Sequence, residues 1–278
     1  MLLILDVGNS TTVIGVYDMS EKKLIRNWRM TSLKQTSDEI GLLLSNLIKS
    51  SDISLADIDS AIMSSVVPAL DYLIIEAIKN YFGVDCMKVS VALDLGIEID
   101  YAVPKEVGAD RLMNSVAAVA KYGTGQPIIV IDYGTAMSFD VVSKDGAFIG
   151  GVICPGLITS IEALFGKTAK LPQIALEAPS AVIGQSTIEA IQSGAIYGNA
   201  GMTDRIVSMI KDQLGAEECI VIATGGHAEL MSRYAKTIQH VDPWLTLEGM
   251  RITYERNNRA MQNSQLKTAE DGVLDVPL

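Results

Sequence analysis

Two aspartates in this sequence follow apolar runs and precede a turn that contains glycine. Asp6 and Gly8 form the first pattern, and Asp132 and Gly134 form the second. Glycine allows a tight turn and a close approach to a ligand, and the N–H groups after it can bind phosphate oxygens. One copy alone is typical of an ordinary hairpin. Two matched copies predict a pair of strand, turn, strand units that hold one nucleotide.

A third group of residues, around Asp110 and Arg111, lies between these two turns in the sequence. The two side chains begin a predicted helix, where a carboxylate often serves only as a cap. Gly108 allows close approach, and a helix N-terminus favours an anion. In this setting Asp110 could take a proton from a hydroxyl group, and Arg111 could bind a carboxylate or a transferred phosphoryl group.

The elements that position these residues follow one order, strands first and helices after, in both halves of the chain. In the first half, the sequence predicts strands at Leu2–Val7, Thr12–Tyr17, Leu24–Met30 and Ser60–Val67 and a short strand at Met87–Val89. It predicts one helix after the capping box Thr36–Glu39 and another from Pro68 to Phe82. An irregular loop is predicted over Asp94–Pro104. A helix over Ala109–Tyr122 leads to strands Ile128–Ile131, Met137–Ser143, Ala147–Val152 and, after further helices, Cys219–Ala223. The repeat predicts an α/β fold.

Composition limits the function classes. The chain has 278 residues, of which 49% are hydrophobic and 20% are charged, so it predicts folded domains. Its net charge of −11 disfavours binding to nucleic acid or to an anionic membrane. Because that charge also repels anionic ligands such as ATP, the site is expected to use metal ions. The apolar start lacks a basic leader, so we expect a cytoplasmic protein.

Three familiar site types are absent from the sequence pattern. Gly166-Lys167-Thr168 ends like a Walker A loop, but Ile161 occupies the position of its first glycine. Only two histidines and three separated cysteines occur, which argues against a histidine zinc site and against a histidine-based catalytic triad. Carboxylates therefore carry any acid and base chemistry.

Six short motifs together resemble the type III pantothenate kinases, a family of the actin, Hsp70 and sugar kinase superfamily. The motifs are Asp6-x-Gly8-Asn9, Gly108-Ala109-Asp110-Arg111, Asp132-x-Gly134-Thr135-Ala136, Gly150-Gly151-x-Ile153-x-Pro155-Gly156, Thr224-Gly225-Gly226 and Leu247-Glu248-Gly249. They occur in the family's order, and the resemblance spans Met1 to Asn258.

The resemblance implies a fold of two duplicated ribonuclease H-like domains, the actin-like ATPase fold, with a cleft between them. We place the N-terminal domain at residues 1–115, the C-terminal domain at residues 116–258 and a mobile tail at residues 259–278. The implied activity is transfer of the ATP γ-phosphoryl group to pantothenate, and the family is dimeric.

The resemblance also implies roles for particular residues. ATP contacts are expected at Asp6, Val7, Gly8, Asn9, Ser10, Thr11, Thr12, Val13 and Thr135, with an adenosine-side turn at Thr224 to Gly226. The pantothenate pocket is expected to contain Tyr101, Gly108, Ala109, Asp110, Arg111 and Thr187, with Asp110 as the general base. Asp132 is expected to bind a monovalent cation, potassium or ammonium, and a divalent cation such as magnesium accompanies ATP.

Several alternatives stay open at the level of sequence. Tyr101 also fits an ordinary loop aromatic, and Thr187 also fits a helix cap. The family's fold could serve a non-catalytic homologue that acts as an accessory transcriptional regulator, or a kinase for another small hydroxy acid or polyol. His227 stands where an apolar residue is common, which could alter the adenine side.

Overall fold

The computed structural model describes residues 1–167 and 174–271, with side chains described as far as Arg259. The chain divides into two compact units. Unit 1 comprises Met1–Ile97, Val103–Ala117 and the chain from Thr246 onward, and unit 2 comprises Glu98–Ala102 and Ala118–Leu245.

Unit 1 is built on a five-stranded mixed sheet with the order β3-β2-β1-β4-β5. Its strands are β1 (Leu2–Val7), β2 (Thr11–Asp18), β3 (Lys23–Thr31), β4 (Ser60–Ser65) and β5 (Cys86–Lys88). Strand β2 is antiparallel to both β1 and β3, whereas β4 is parallel to β1 and β5 is parallel to β4.

Unit 2 contains a second five-stranded sheet with the order β10-β9-β6-β7-β8. Its strands are β6 (Ile128–Tyr133), β7 (Ala136–Val142), β8 (Phe148–Pro155), β9 (Ile220–Thr224) and β10 (His240–Val241). Each strand pair has the same parallel or antiparallel sense as its counterpart in unit 1. The duplicated α/β fold with ribonuclease H-like sheets is therefore confirmed.

Eight α-helices occur in the described ranges. They are α1 (Ser37–Lys49), α2 (Pro68–Phe82), α3 (Ala109–Tyr122), α4 (Leu157–Lys167), α5 (Thr187–Ser193), α6 (Asn199–Leu214), α7 (Ala228–Met231) and α8 (Leu245–Asp271). A single π-helical segment, Gly194–Gly198, joins α5 to α6. Among the described residues, we find no helix with the length and the apolar character needed to cross a lipid bilayer.

One face of the unit 1 sheet forms a hydrophobic core with α1 and α2. Leu3, Leu5 and Val7 lie on this face, because side chains alternate along a strand, and they pack with residues such as Leu44 and Ile74 of the two helices. The opposite face carries Asp6, at the carboxyl end of β1, and is covered in part by α8.

Helix α8 reaches this opposite face where glycines leave room. Gly15 of β2 is aligned with Ile4 of β1, and a side chain at Gly15 would place its Cβ 3.1 Å from Cδ1 of Leu247. Two residues further along α8, a side chain at Gly249 would overlap the main-chain carbonyl of Met113 in α3. Helix α8 therefore packs on the sheet and on α3 at once.

One polar contact joins α8 to α3, and further polar contacts lie within α8 itself. The Thr246 hydroxyl donates a hydrogen bond of 2.7 Å to Oδ1 of the buried Asn114 in α3. Arg251 is buried and binds Glu248 through a bidentate pair and Glu255 through a third contact. Such a guanidinium, paired with two carboxylates, is a buried charge that the fold can tolerate.

Most predicted elements are confirmed. The helix Pro68–Phe82, the helix Ala109–Tyr122 and the capping box of Thr36 and Glu39 occur as predicted. The strand predicted from Ser60 to Val67 ends instead at Ser65, because the chain turns there and the Val67 N–H donates to the Ser65 hydroxyl just before α2.

The division into units differs from the predicted domains. Residues 1–115 and 116–258 were expected to separate, but the chain from Thr246 groups with unit 1 and the short segment Glu98–Ala102 groups with unit 2. The predicted tail at residues 259–278 lies only in part within the described residues. Its first part continues α8 to Asp271, and its last seven residues are not described.

Gly249→Ala should destabilise the protein by about 1–3 kcal/mol, because the added methyl group overlaps main-chain atoms of Met113. The matched control is Gly201→Ala in α6, where a Cβ would meet nothing within 4 Å. Alanine at that site should be neutral or should stabilise by up to about 1 kcal/mol, through its helix propensity. Urea unfolding measures both. Equal stability of Gly249→Ala and wild type would contradict the close packing.

Candidate active site

The turn between β1 and β2 lies at the carboxyl end of two parallel strands. Asp6 of β1 is aligned with Ser64 of β4, and both strands end one residue later. The Gly8 N–H donates to the Thr11 carbonyl at 3.1 Å, which closes the turn. Ligands of open α/β sheets bind outside such carboxyl ends.

The exposed part of this turn consists of main chain and short polar side chains. Asn9, Ser10 and Thr11 are exposed, whereas Thr12 is buried, with its hydroxyl 2.8 Å from that of Ser32. The Ser32 N–H also donates to the Ser10 carbonyl at 3.0 Å. The segment after β3 therefore holds the turn from one side and leaves its tip accessible to a ligand.

The turn between β6 and β7 occupies the equivalent place in unit 2. Asp132 is aligned with Thr224 of the parallel strand β9. The Thr135 carbonyl accepts hydrogen bonds from the Gly156 N–H at 3.1 Å and from the Thr159 hydroxyl at 2.6 Å. These contacts tie the turn to the start of α4.

The turn that follows β9 packs against Asp132. Gly225 has a φ of 88°, in the left-handed region that favours glycine. A side chain there would place its Cβ 2.8 Å from the main chain of Tyr133 and would overlap Oδ1 of Asp132. The Thr224-Gly225-Gly226 motif thus lies beside the carboxylate that the sequence predicts as a cation ligand.

The start of α3 holds the predicted general base. Oδ1 of Asp110 accepts a hydrogen bond of 2.9 Å from the Arg111 main-chain N–H. A Cβ on Gly108 would lie 2.5 Å from the same oxygen, so this carboxylate can fold back over the helix start only because residue 108 is glycine. The Leu112 N–H donates to the Gly108 carbonyl, which sets the beginning of the helix.

Burial controls the acidity of Asp110. Loss of water contact raises the pKa of its carboxyl group above the ordinary value of 3.8, although the Arg111 main-chain N–H and guanidinium charge act in the opposite direction. A carboxylate with a raised pKa is a stronger base once it is ionised, and this matches the task of removing a proton from an alcohol.

Tyr101 belongs to unit 2 and is fixed there by its neighbours. Its ring centroid lies 5.9 Å from that of Phe148, at a tilt of 53°, and the Asp100 N–H donates to the Phe148 carbonyl at 2.8 Å. A Cβ on Gly150, whose φ is 116°, would lie 3.4 Å from the tyrosine ring. The loop aromatic is therefore held against β8 by specific contacts.

Thr187 is the first residue of α5 and is exposed. Ser186, and not Thr187, is the N-cap: its hydroxyl accepts from the Glu189 N–H, and the Glu189 carboxylate accepts in return from the Ser186 N–H. The open alternative that Thr187 caps the helix is thus wrong.

The structure groups the predicted residues by unit. Asp6 to Val13 and Gly108 to Arg111 belong to unit 1, whereas Tyr101, Asp132, Thr135 and Thr187 belong to unit 2. Within unit 2 the residues Asp132, Thr135 and Gly225 lie at one end of the sheet. No group of three or more His, Cys, Asp or Glu side chains within the described ranges could hold a metal ion.

A cation at Asp6 or Asp132 would therefore take its other ligands from phosphate oxygens, main-chain carbonyls or water. Oxygen donors of this kind suit hard cations in general; Mg²⁺, for example, is usually held through one or two carboxylates together with substrate phosphates. Single carboxylates at strand ends are consistent with such a site.

Two polar residues, one in each sheet, were not singled out by the sequence analysis. Ser64 lies beside Asp6, and Asp140 of β7 is fully buried, with the Ser138 hydroxyl donating to it at 2.9 Å. Ser138 is aligned with Asp132, so Asp140 shares the face of Asp132. The sequence signal that could have identified Ser64 and Asp140 is a polar residue within an otherwise apolar strand. Both residues lie in strands that the sequence predicts.

Comparisons with known proteins agree on one family. The family model described as type III pantothenate kinase matches residues 2–209. A type III pantothenate kinase from an Exiguobacterium species is 43% identical over 260 residues, which cover 93% of this chain and all of the relative. One from Citrifermentans bemidjiense is 44% identical over 258 residues, which cover 92% of this chain and all of the relative.

Solved structures share the fold at lower identity. A protein from Campylobacter jejuni described as a Baf family transcriptional activator has a TM-score of 0.52 at 19% identity and covers 93% of this chain and 99% of its own. The ethanolamine utilization protein EutJ from Carboxydothermus hydrogenoformans has a TM-score of 0.52 at 13% identity and covers 90% of this chain and 89% of its own. At these identities the likeness concerns the fold alone.

Asp110→Asn should make the folded protein more stable at pH 7.5. The pKa of Asp110 is raised in the folded state, so the wild type loses stability as the pH rises from the unfolded value of 3.8 through the folded value, and a neutral asparagine avoids that loss. The gain in melting temperature should shrink as the pH is lowered toward 4. A variant that is less stable than wild type at pH 7.5 would show that attraction to Arg111 outweighs the burial of the charge.

Proposed function

Because the chain belongs to the type III pantothenate kinase family, we propose that it transfers the γ-phosphoryl group of ATP to the terminal hydroxyl of pantothenate. The product is 4′-phosphopantothenate, and the reaction is the first step of coenzyme A biosynthesis. The observation that carries this proposal is the match to whole relatives at 43% and 44% identity. The site's geometry adds a partly buried carboxylate at the start of α3 and two glycine turns at strand ends.

The proposed chemistry needs little covalent participation by the protein. The pantothenate hydroxyl oxygen attacks the γ-phosphorus, the bond between the γ-phosphorus and the bridging oxygen breaks, and ADP leaves. Asp110 accepts the hydroxyl proton, a role supported by its raised pKa. Positioning and charge stabilisation supply the rest of the rate enhancement.

The residue roles follow from the same proposal. Main-chain N–H groups in the turn from Asp6 to Val13 contact the ATP phosphates, and Thr135 makes a second nucleotide contact. Asp132 binds a monovalent cation, potassium or ammonium, and Mg²⁺ accompanies the triphosphate. The protein has a net charge of −11, which repels the anionic substrates. The bound cations reduce that repulsion.

Pantothenate binding is assigned to Tyr101, Thr187 and the segment Gly108 to Arg111. The guanidinium of Arg111 can bind either the substrate carboxylate or the transferred phosphoryl group, because both accept a planar pair of donors. Exposed apolar side chains of unit 2, including Ile153, Val182 and Ile183, support a homodimer in which such surface is covered.

The direct test is product formation. Purified protein is incubated with Mg²⁺, potassium, ATP and pantothenate, and the phosphorylated product is measured by mass spectrometry. We expect 4′-phosphopantothenate and ADP in equal amounts. The same assay with other small hydroxy acids and polyols tests the alternative that the protein is a kinase for a different acceptor. ATP binding with no phosphorylation of any acceptor would favour a non-catalytic homologue.

Asp110→Asn should lower turnover by on the order of 10² to 10⁴, because general-base catalysis typically contributes that much. ATP binding should change little. The matched control is Asp145→Asn, which removes one exposed carboxylate from the turn between β7 and β8 and should leave turnover normal. Near-normal turnover in Asp110→Asn would remove this residue from the mechanism.

Activity should require a small monovalent cation, and the requirement should depend on Asp132. Replacing potassium with a bulky organic cation should suppress wild-type turnover, and Asp132→Asn should raise the potassium concentration needed for half-maximal activity. Steady-state rates over a potassium titration measure both effects. Equal wild-type rates with and without potassium would assign Asp132 another role.

A further inference from the structure

Ser64 is a buried polar residue that the proposed mechanism does not yet use. Its side chain is fully buried, and its hydroxyl oxygen has no hydrogen-bond partner among the described residues. Leaving a buried hydroxyl without a partner costs roughly 1–3 kcal/mol, so such groups usually have a reason to be present.

The sheet places this hydroxyl beside Asp6. Residues aligned on neighbouring strands point to the same face, and Ser64 of β4 is aligned with Asp6 of the parallel strand β1. The alternate residues Leu5, Val7 and Met63 point to the opposite face, into the core with α1 and α2. Neighbouring strands are about 4.8 Å apart, so Ser64 and Asp6 are adjacent residues on this face, at the carboxyl ends of their strands.

The next serine in the same strand shows a different use. Ser65 accepts a hydrogen bond of 3.1 Å from the Val67 N–H and so shapes the turn into α2. Helix α2 begins at Pro68, which has no N–H group to be satisfied. Local backbone requirements therefore account for Ser65 but do not account for Ser64.

We propose that Ser64 is a positioning residue for the nucleotide site. Its hydroxyl, which has no partner among the described residues, turns to donate a hydrogen bond to the Asp6 carboxylate when the nucleotide binds, and it then holds that carboxylate in the orientation that Mg²⁺ and the triphosphate require. The inference rests on the proposed function, since it assigns Asp6 to the nucleotide site. It adds a residue outside the phosphate turn, from a strand that the sequence motifs do not include.

The chain supplies a matched control in Ser45. This serine of α1 is also buried, and its hydroxyl oxygen also has no partner among the described residues, but it belongs to the helix that packs on the opposite face of the sheet. Ser64→Ala and Ser45→Ala remove the same group from two comparable environments. Both should leave stability in the absence of nucleotide unchanged or slightly higher, because each removes an unsatisfied polar atom.

The experiment measures ATP affinity by calorimetry over a Mg²⁺ titration, together with steady-state kinetics in which ATP and pantothenate are varied. Ser64→Ala should weaken Mg²⁺-dependent ATP binding on the order of tenfold, as expected for a lost hydrogen bond to a charged group. The KM for pantothenate should stay close to that of wild type. Ser45→Ala should match wild type in both measurements.

The possible results distinguish a failure of the role proposed for Ser64 from a failure of the proposed kinase function. Wild-type ATP affinity in Ser64→Ala, or equal losses in Ser64→Ala and Ser45→Ala, would overturn the role of Ser64. A wild-type protein that binds ATP but does not phosphorylate pantothenate would overturn the proposed function alone, while the comparison of the two serine variants would still decide the inference. A wild-type protein that binds no ATP would overturn both.

Discussion

The close approach of α8 to its neighbours is the constraint on which the candidate site in unit 1 depends. Gly15 leaves space for Leu247 against the sheet, and Gly249 brings α8 onto the main chain of Met113 in α3. Met113 lies one helical turn after the start of α3, where Asp110 stands. The position of Asp110 is therefore set by contacts between main chains, which adjust less readily than side chains do. Glycine within a helix costs stability, so its presence in α8 is explained by this packing.

Burial makes the ionised carboxylate of Asp110 a stronger base, and it lowers the stability of the folded protein. An ionised carboxylate prefers water, and its raised pKa measures how far the fold opposes that preference. The Arg111 main-chain N–H donates to Oδ1 of Asp110 at 2.9 Å and reduces the free-energy cost of burying the charge, but it does not remove that cost. Such conflict between local stability and function is expected at catalytic positions. In the proposed reaction, local N–H groups and cations would attract the anionic substrates against the protein's net charge of −11.

Local patterns in the sequence were sufficient to predict the two glycine turns, the start of α3 at Ala109 and the repeated order of strands and helices. These features depend on residues that are close in the chain, such as Pro68 at the first position of α2. The sequence did not predict that α8 joins unit 1, because that packing brings together Gly249 and Met113 from distant segments. Ser64 was missed for the same reason. Only the register of β4 on β1 shows that it lies beside a carboxylate.

The central claim is that the start of α3 delivers a base to the hydroxyl of pantothenate. A crystal structure of the protein with a non-hydrolysable ATP analogue, Mg²⁺, potassium and pantothenate tests it most directly. The distance to measure joins a carboxylate oxygen of Asp110 to the terminal hydroxyl oxygen of pantothenate. The account predicts about 2.6–3.2 Å, the range of a hydrogen bond that can pass a proton. Pantothenate bound with that hydroxyl on another side chain, beyond reach of Asp110, would contradict it.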